Sequence, residues 1–440
     1  MEKLMAFMER YLVPVAAKIG AQRHLVAIRD GFVAMIPVTM VGAFATLINN
    51  LPIQAYKDMM ASVFGESWTT LGGDLWWGSI ATMALFLVVS VAYYLAKSYE
   101  GNEIQAGLIA LSAFIILAPQ TASITPEGAT EAIVGWGFIP NGYISSNALF
   151  TAILVAIIST ELYVKLSKVS WLTIKMPDGV PPAVSRSFAK LLPGMITLFA
   201  LGIIGILVRK FADGAYINDL LATYLVKPLE GAADSLGATL LIVFFVHLLW
   251  IFGLHGANIV LPVTNPLLLS LGGQNEALAQ QGVANLAEYN VFAGAFLDAF
   301  VYLGGSGVII GLVIALLIAG RRRKEMIALG GPPSLFNISE PMIFGMPIVL
   351  NPMYMIPFVL APVLCAGVAY TAISTGLVPP VIMSQIPWVT PPIMGGMMAT
   401  GSIRGGLLAA FNLVLSVVIY LPFVMAEERM MKKKLADQTN

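Results

Sequence analysis

The chain reads as an all-α polytopic membrane protein, and three observations predict it. Of its 440 residues, 58% are hydrophobic and 11% charged, where soluble domains carry about 25% charged residues. Mean hydropathy is +0.84. The apolar residues gather in runs close to the roughly 20 residues that a helix needs to cross a bilayer, and basic residues flank alternate ends of these runs. The 24 basic and 24 acidic side chains cancel, so no global field invites nucleic acid. One cysteine, Cys365, lies in the apolar run Met355–Ala372. It reads as a core thiol and leaves neither a disulfide framework nor a thiolate metal cluster within one chain.

Residues 1–24, MEKLMAFMERYLVPVAAKIGAQRH, lack the apolar core and cleavage site of a signal peptide. Leu4, Phe7, Met8, Tyr11, Leu12, Val15 and Ile19 recur at helical spacing among Lys3, Arg10 and Lys18, as in an amphipathic helix on the inner membrane surface. His24 reads as a solvated residue of that surface. Spans are expected near Gly31–Leu51, Leu75–Ala96, Ile104–Ala118, Ser146–Val164 and Leu191–Val208, then Leu236–Leu254, Phe300–Ala319, Met355–Thr375 and Gly405–Ala426. Weaker apolar runs surround Ile259–Leu271, Glu340–Leu350 and Val378–Ile393.

Arg23, Arg29, Lys97, Lys165, Lys168, Lys175, Arg186 and Lys190 mark cytoplasmic ends, as do Arg321–Lys324, and Lys432–Lys434 place the C-terminus inside with the N-terminus. Thr121–Asn147 carries Glu127 and Glu131 but no lysine or arginine, as an external loop should. Met176–Gly194, rich in proline and charge, reads as a boundary. The expected division is a surface helix (1–24), an N-terminal bundle (25–175), a linker with a surface helix and a connecting span (176–235), a substrate domain (236–426) and a cytoplasmic tail (427–440).

The second half holds the residues suited to chemistry. In FNISEPMIFGMPIVLNP, Pro341, Pro347 and Pro352 each remove a backbone donor and disfavour an unbroken helix around Glu340. Irregular backbone at membrane depth is tolerated where it is buried in protein or lines a cavity, so a re-entrant or broken segment is expected. An intramembrane carboxylate is a functional candidate by default because burying it unpaired costs several kcal/mol. Asn337 and Ser339 supply polar neighbours, and Asn337 is taken as a candidate sugar ligand with Asn258. In FFVHLLWIFGLHGANIVLPVTNP, Gly253 and Gly256 bracket His255 and should end the helix there. That makes His255 the better ligand candidate, whereas His247 suits a hydrogen bond between packed helices. Asn258 follows His255 closely and can line a cavity. Trp250 and Trp388 offer flat faces to sugar rings, while Trp68, Trp76 and Trp77 fit an interfacial belt. Asp298 reads as a packing or capping group, and Glu161 with Lys165 as an i,i+4 pair. No phosphate loop, dinucleotide fingerprint or metal-ligand spacing occurs. No cofactor or metal is therefore expected, and ATP-driven transport has no support.

Taken in order, VPVAAKIGAQRHLVAIRDGF, KMPDGVPPAVSRSF, LLWIFGLHG, FLDAFVYLGGSG and FNISEPMIFGMPIVLNP resemble the membrane subunit, enzyme IIC, of bacterial phosphotransferase systems of the lactose, cellobiose and N,N'-diacetylchitobiose family. The resemblance covers almost the whole chain. It implies about ten spans with two re-entrant hairpins, a homodimer formed through the N-terminal bundle, and a C-terminal domain that holds a disaccharide. It further implies that a phosphocysteine on a separate IIB protein, itself served by IIA, phosphorylates the sugar 6-hydroxyl. By motif, the residues near that hydroxyl are His255 and Glu340, with Glu340 expected as proton acceptor and His255 as its orienting partner and the reverse assignment open, and the sugar-facing tryptophans are Trp250 and Trp388. Ser145, Ser146 and Asn147 stand where relatives read more glycine-rich, which bears on substrate preference. A proton-coupled secondary sugar transporter, with Glu340 and His255 as its relay, is the alternative, and a sugar receptor that moves nothing is a third reading.

Overall fold

A computed structural model describes residues 14–15, 17–50, 54–124, 133–174, 177, 188–319, 324–346, 348–349 and 351–439. Most of the N-terminal surface helix, most of the Met176–Gly194 boundary, Glu127 and Glu131, Arg321–Arg323 and Pro347 lie outside the described residues. The chain divides into two compact units. One comprises Met1–Gly20, Ala43–Gly73 and Glu230–Asn440, the other Ala21–Gly42 and Asp74–Leu229.

Helix dominates both. Among the described residues, Ser146–Ser167, Leu191–Phe211, Met353–Ser374 and Ile403–Met430 are long and apolar enough to cross a membrane. Met83–Ser98, Glu103–Leu117 and Ile309–Ala319 are shorter apolar helices. Ile217–Ala233 and Leu236–Ile251 together have the same character, but the chain bends by 82° between them. The local signals are ordinary ones: the side chains of Asn102, Ser235 and Asn351 accept from the amides of Gln105, Ala238 and Met353 at the starts of their helices.

In the unit of residues 21–42 and 74–229, Met83–Ser98, Glu103–Leu117, Leu149–Ser167 and Leu191–Phe211 pack side by side. Small residues permit the approach. Ala106, Ala110 and Ala113 on one helix and Ala152, Ala156 and Ser159 on another are buried at helical spacing. Close backbone packing of this kind replaces the hydrophobic drive that lipid cannot provide. A polar knot closes one end: Glu161 accepts from His24 Nε2 (2.9 Å), Lys165 Nζ (3.0 Å) and the Tyr99 hydroxyl. The Arg23 guanidinium lies 4.4 Å from the Tyr99 ring centroid. The Glu161 and Lys165 pair follows its spacing. His24 does not remain free in solvent, because the folded bundle brings its ring to a carboxylate 137 residues away.

In the unit containing Glu230–Asn440, Phe292, Phe296 and Phe300 stack edge to face at 5.3 and 5.8 Å. Buried Asn412 donates to the carbonyls of Phe300 and Cys365, both at 3.0 Å. Cys365 is a buried core thiol, as its setting in the sequence implies.

Two expected spans need correction, and two other stretches are extended by the structure. The run Leu75–Ala96 is not one span: helices Thr69–Trp77 and Met83–Ser98 are separated by turns over residues 78–82. The run Phe300–Ala319 is also broken, because Gly304, Gly305 and Gly307 take φ of +83°, +91° and +81° between helices Phe296–Phe300 and Ile309–Ala319. Ile259–Leu271 is the middle of a longer helix, Gly256–Gln280, which tolerates Pro262 and Pro266. The loop Thr121–Asn147 contains an antiparallel ribbon, Thr121–Ile124 with Ile133–Trp136, paired from Thr121 opposite Trp136 to Ile124 opposite Ile133. Its β-branched and aromatic residues favour an extended backbone, a short excursion in an otherwise helical fold.

Candidate sugar site

The site is assembled where two helices end. Leu236–Ile251 stops at Phe252, Gly253 turns the chain with φ +74°, and Gly256–Gln280 begins with His255 as its N-cap. Gly256 is required by close approach, since a Cβ there would collide with the carbonyl oxygen of Val246. The return of the chain seats the His255 ring 4.4 Å from the Trp250 ring, centroid to centroid. Trp250 is 2% exposed, and Phe344 covers it from another side at 6.1 Å.

As the cap, His255 Nδ1 accepts from the backbone N–H of Asn258 at 3.3 Å. That bond assigns the tautomer: with Nδ1 an acceptor, the neutral ring carries its proton on Nε2. Nε2 faces Glu340 Oε1 at 3.7 Å, and the two side chains are 39% and 44% exposed. The separation exceeds a direct hydrogen bond and leaves both groups reachable by a hydroxyl between them. The Asn258 side chain itself is half-buried.

Glu340 opens a short helix, Glu340–Gly345, with Ser339 before it and Pro341 in the first turn. Pro341 is tolerated there because the first turn has no intrahelical acceptor for that N–H. Asn337, three residues earlier, has φ +60° and is 8% exposed. Its side chain serves the scaffold: Oδ1 accepts from Gly304 N–H (2.8 Å), and Nδ2 donates to the carbonyls of Trp388 (2.7 Å) and Thr390 (2.9 Å). The glycine turn fits beneath it, where a Cβ on Gly305 would come within 2.6 Å of the Asn337 carbonyl oxygen. Asn337 thus joins the segment bearing Glu340 to the backbone of Trp388, whose side chain is 48% exposed.

His255, Glu340 and Trp250 are therefore brought together, while Asn337 and the Asn258 amide hold that arrangement in shape. His247 is fully buried, with Nδ1 2.7 Å from the Val243 carbonyl of its own helix and its ring against Tyr302 and Phe358. The expected bond from His247 to a neighbouring helix is replaced by this intrahelical one and by ring packing. The residues missed in the sequence lie at the far end of the Gly256–Gln280 helix. Ser384 donates to buried Glu276 (2.7 Å), Asn275 donates to the carbonyls of Val381 and Asn290 (both 2.8 Å), and Gln274 donates to Glu230. The bonds to Ser384 and Val381 pin the irregular strip that leads to Trp388. The polar triplet Gln274–Asn275–Glu276, in register with an otherwise apolar helix, was the available signal.

Outside the membrane-spanning segments, the pKa values of the Tyr99, Tyr143 and Tyr289 hydroxyls are raised, that of Tyr289 mainly by burial. The bond to Glu161 holds the Tyr99 hydroxyl above its ordinary range. Burial, and then its bond to Asp219 at 2.5 Å, does the same for Tyr143.

Such an architecture defines a class: a polytopic helical membrane protein whose broken helices present an imidazole and a carboxylate beside a buried indole. The family model for the phosphotransferase system EIIC matches residues 29–362. The cellobiose-specific EIIC component of Geobacillus stearothermophilus is 39% identical over 426 residues, covering 96% of this chain and 94% of that protein. The lichenan permease IIC component of Bacillus subtilis is 37% identical over 426 residues, covering 96% and 93%. The crystal structure of ChbC, the IIC component of an N,N'-diacetylchitobiose-specific phosphotransferase system, superposes with a TM-score of 0.92 at 38% identity over 99% of each chain. This chain belongs to the phosphotransferase system EIIC family.

Proposed function

We propose that this chain translocates a β-linked disaccharide of the cellobiose or diacetylchitobiose class and presents its 6-hydroxyl to a phosphocysteine on a separate IIB protein. The observation that carries the reading is the half-exposed His255 and Glu340 pair, 3.7 Å apart beside Trp250. Phosphoryl transfer asks the acceptor site for positioning and for a group that takes the hydroxyl proton. The sugar oxygen attacks phosphorus, the S–P bond breaks, the thiolate stays on IIB, and the proton passes to Glu340. His255 cannot take that proton at Nδ1 while Nδ1 accepts from Asn258 N–H, and its Nε2–H donates to the same hydroxyl oxygen. Glu340 is thus the base and His255 the orienting partner. Exposed Trp388 supplies a ring face for the sugar, whereas Trp250, expected to do the same, is buried between His255 and Phe344 and backs the His255 ring instead. The polar side chain of Asn258 lines the sugar's approach.

The wider architecture is proposed with it. About ten spans and two re-entrant hairpins, one of them around Glu340, lie in the plasma membrane with both termini cytoplasmic. The N-terminal bundle, 25–175, forms a homodimer, and 236–426 holds the sugar, with 176–235 connecting them, 1–24 as a surface helix and 427–440 as the tail. A IIA protein recharges IIB.

The test is a panel of cellobiose, diacetylchitobiose, lactose and aryl-glucosides offered to membranes carrying this chain, with and without purified phospho-IIB. Sugar 6-phosphate formed from a β-linked disaccharide only in the presence of both proteins is expected. Uptake of free sugar driven by a pH gradient without IIB would instead establish a proton-coupled transporter.

A further inference from the structure

The unit that holds the sugar site also carries an apolar groove of about 1340 Å³, formed by the helices Leu236–Ile251, Pro352–Ser374 and Ile403–Thr439. Its position along the helices is informative. Leu236 is the first residue of its helix, Thr375 caps the end of the second, and Arg404 is the second residue of the third. The mouth therefore lies at the level where apolar helices begin and end. From there the lining runs inward to Leu364 and Phe411, about 16 and 10 Å deeper at 1.5 Å per residue. The deep walls are aliphatic or aromatic, Gly367 opens the middle of the groove, Thr371 and Thr375 line the part nearer the mouth, and the one charged lining residue is Arg404. Its side chain is exposed, and the guanidinium makes no ion pair among the described residues.

A deep apolar channel with a cation at its interfacial mouth has the polarity of a phospholipid: acyl chain inside, phosphate at the rim. We propose that this groove is a binding site for an anionic phospholipid of the surrounding bilayer, with Arg404 receiving the headgroup phosphate and Leu240, Leu364 and Phe411 contacting the chain. Arginine suits the role because its planar fork pairs with phosphate bidentately. The alternative occupants, a free anion or the apolar face of a second copy, make different demands. An inorganic anion has no use for the deep apolar walls, and a second copy has no use for a cation at the rim.

The test is native mass spectrometry of the full-length, detergent-extracted protein offered an equimolar mixture of phosphatidylglycerol and phosphatidylcholine with identical acyl chains. One basic residue near a membrane surface is worth about 1 kcal/mol toward anionic lipid, so a retention preference of about fivefold for phosphatidylglycerol is expected. Arg404→Gln should bring that preference close to unity. Gly367→Leu, whose Cβ meets only Leu240 at 3.5 Å, should fill the groove and reduce retention of both lipids. Inorganic phosphate should displace neither. Equal retention of the two lipids by the unsubstituted protein, or an undiminished preference in Arg404→Gln, would overturn the proposal. So would displacement by phosphate, or efficient cross-linking between copies through Leu407→Cys. Should Gly367→Leu fail to fold, the surface variant Arg404→Gln decides alone.

Discussion

Glu340→Gln tests the assignment of the base. The amide keeps the shape and one acceptor oxygen but cannot take a proton. Two effects would follow from the substitution, and their sizes differ. As an upper bound for the His255–Glu340 contact at 3.7 Å, two unit charges interact by about 1 kcal/mol in a water-like medium. A neutral ring interacts less, and the exposure of both side chains, 39% and 44%, screens the contact further. Losing the charge interaction alone therefore changes rates or affinities by about fivefold at most. Losing a positioned general base costs about 10²- to 10⁴-fold. The assay measures IIB-dependent formation of sugar phosphate in membrane vesicles, alongside equilibrium binding of the same sugar to purified protein. Binding within about fivefold of the unsubstituted protein, with phosphorylation reduced by at least about 100-fold, is expected. Phosphorylation that falls by no more than fivefold would refute the reasoning, because electrostatics alone would then account for it. His255→Gln separates the roles further. It keeps a donor toward the hydroxyl, so its loss should be smaller than that of Glu340→Gln.

Asn337→Ala removes three hydrogen bonds, two buried and one partly buried. At about 1 kcal/mol each or somewhat less inside a membrane domain, thermal unfolding should show a loss of about 2–3 kcal/mol, with weakened sugar binding as the Trp388 strip loosens. Gly256→Ala places a methyl against the Val246 carbonyl, so it should lower the folded yield and abolish sugar binding, as read by size-exclusion profile and binding titration. In the other unit, the Tyr99 hydroxyl is held above its ordinary value by its bond to Glu161. Its neutral form is favoured in the folded state, so the stabilisation is complete below about pH 10, the unfolded value, and disappears as pH rises through the folded value. Tyr99→Phe should flatten that alkaline decline in a pH series of thermal unfolding. An unchanged slope would show that Tyr99 does not cause it.

The sequence by itself determined the membrane class, most of the long helices and the site candidates. Those depend on short-range facts: runs of apolar residues, glycines around His255, prolines around Glu340. The interruptions inside apolar runs were less legible. Hydropathy sums over a window and does not register that Gly304, Gly305 and Gly307 adopt positive φ, so the run Phe300–Ala319 looked continuous. Conversely, the weaker apolar run Ile259–Leu271 did not reveal the full length of the Gly256–Gln280 helix, which accommodates Pro262 and Pro266.

What only the tertiary structure decided were relationships between distant residues. The pairing of His24 with Glu161 and that of Ser384 with Glu276 join positions more than 100 residues apart. Asn337 illustrates the limit most clearly. Its position beside Glu340 makes it a plausible sugar ligand in the sequence, yet its amide is engaged by Gly304, Trp388 and Thr390. A side chain's donors and acceptors are chosen by whichever backbone the fold brings within 3 Å, and that choice is not written in its neighbours along the chain. The orientation of the imidazole is a further case: the bond from Asn258 N–H to Nδ1, present only once the helix has formed, turns the Nε2 side of His255 toward the Glu340 carboxylate.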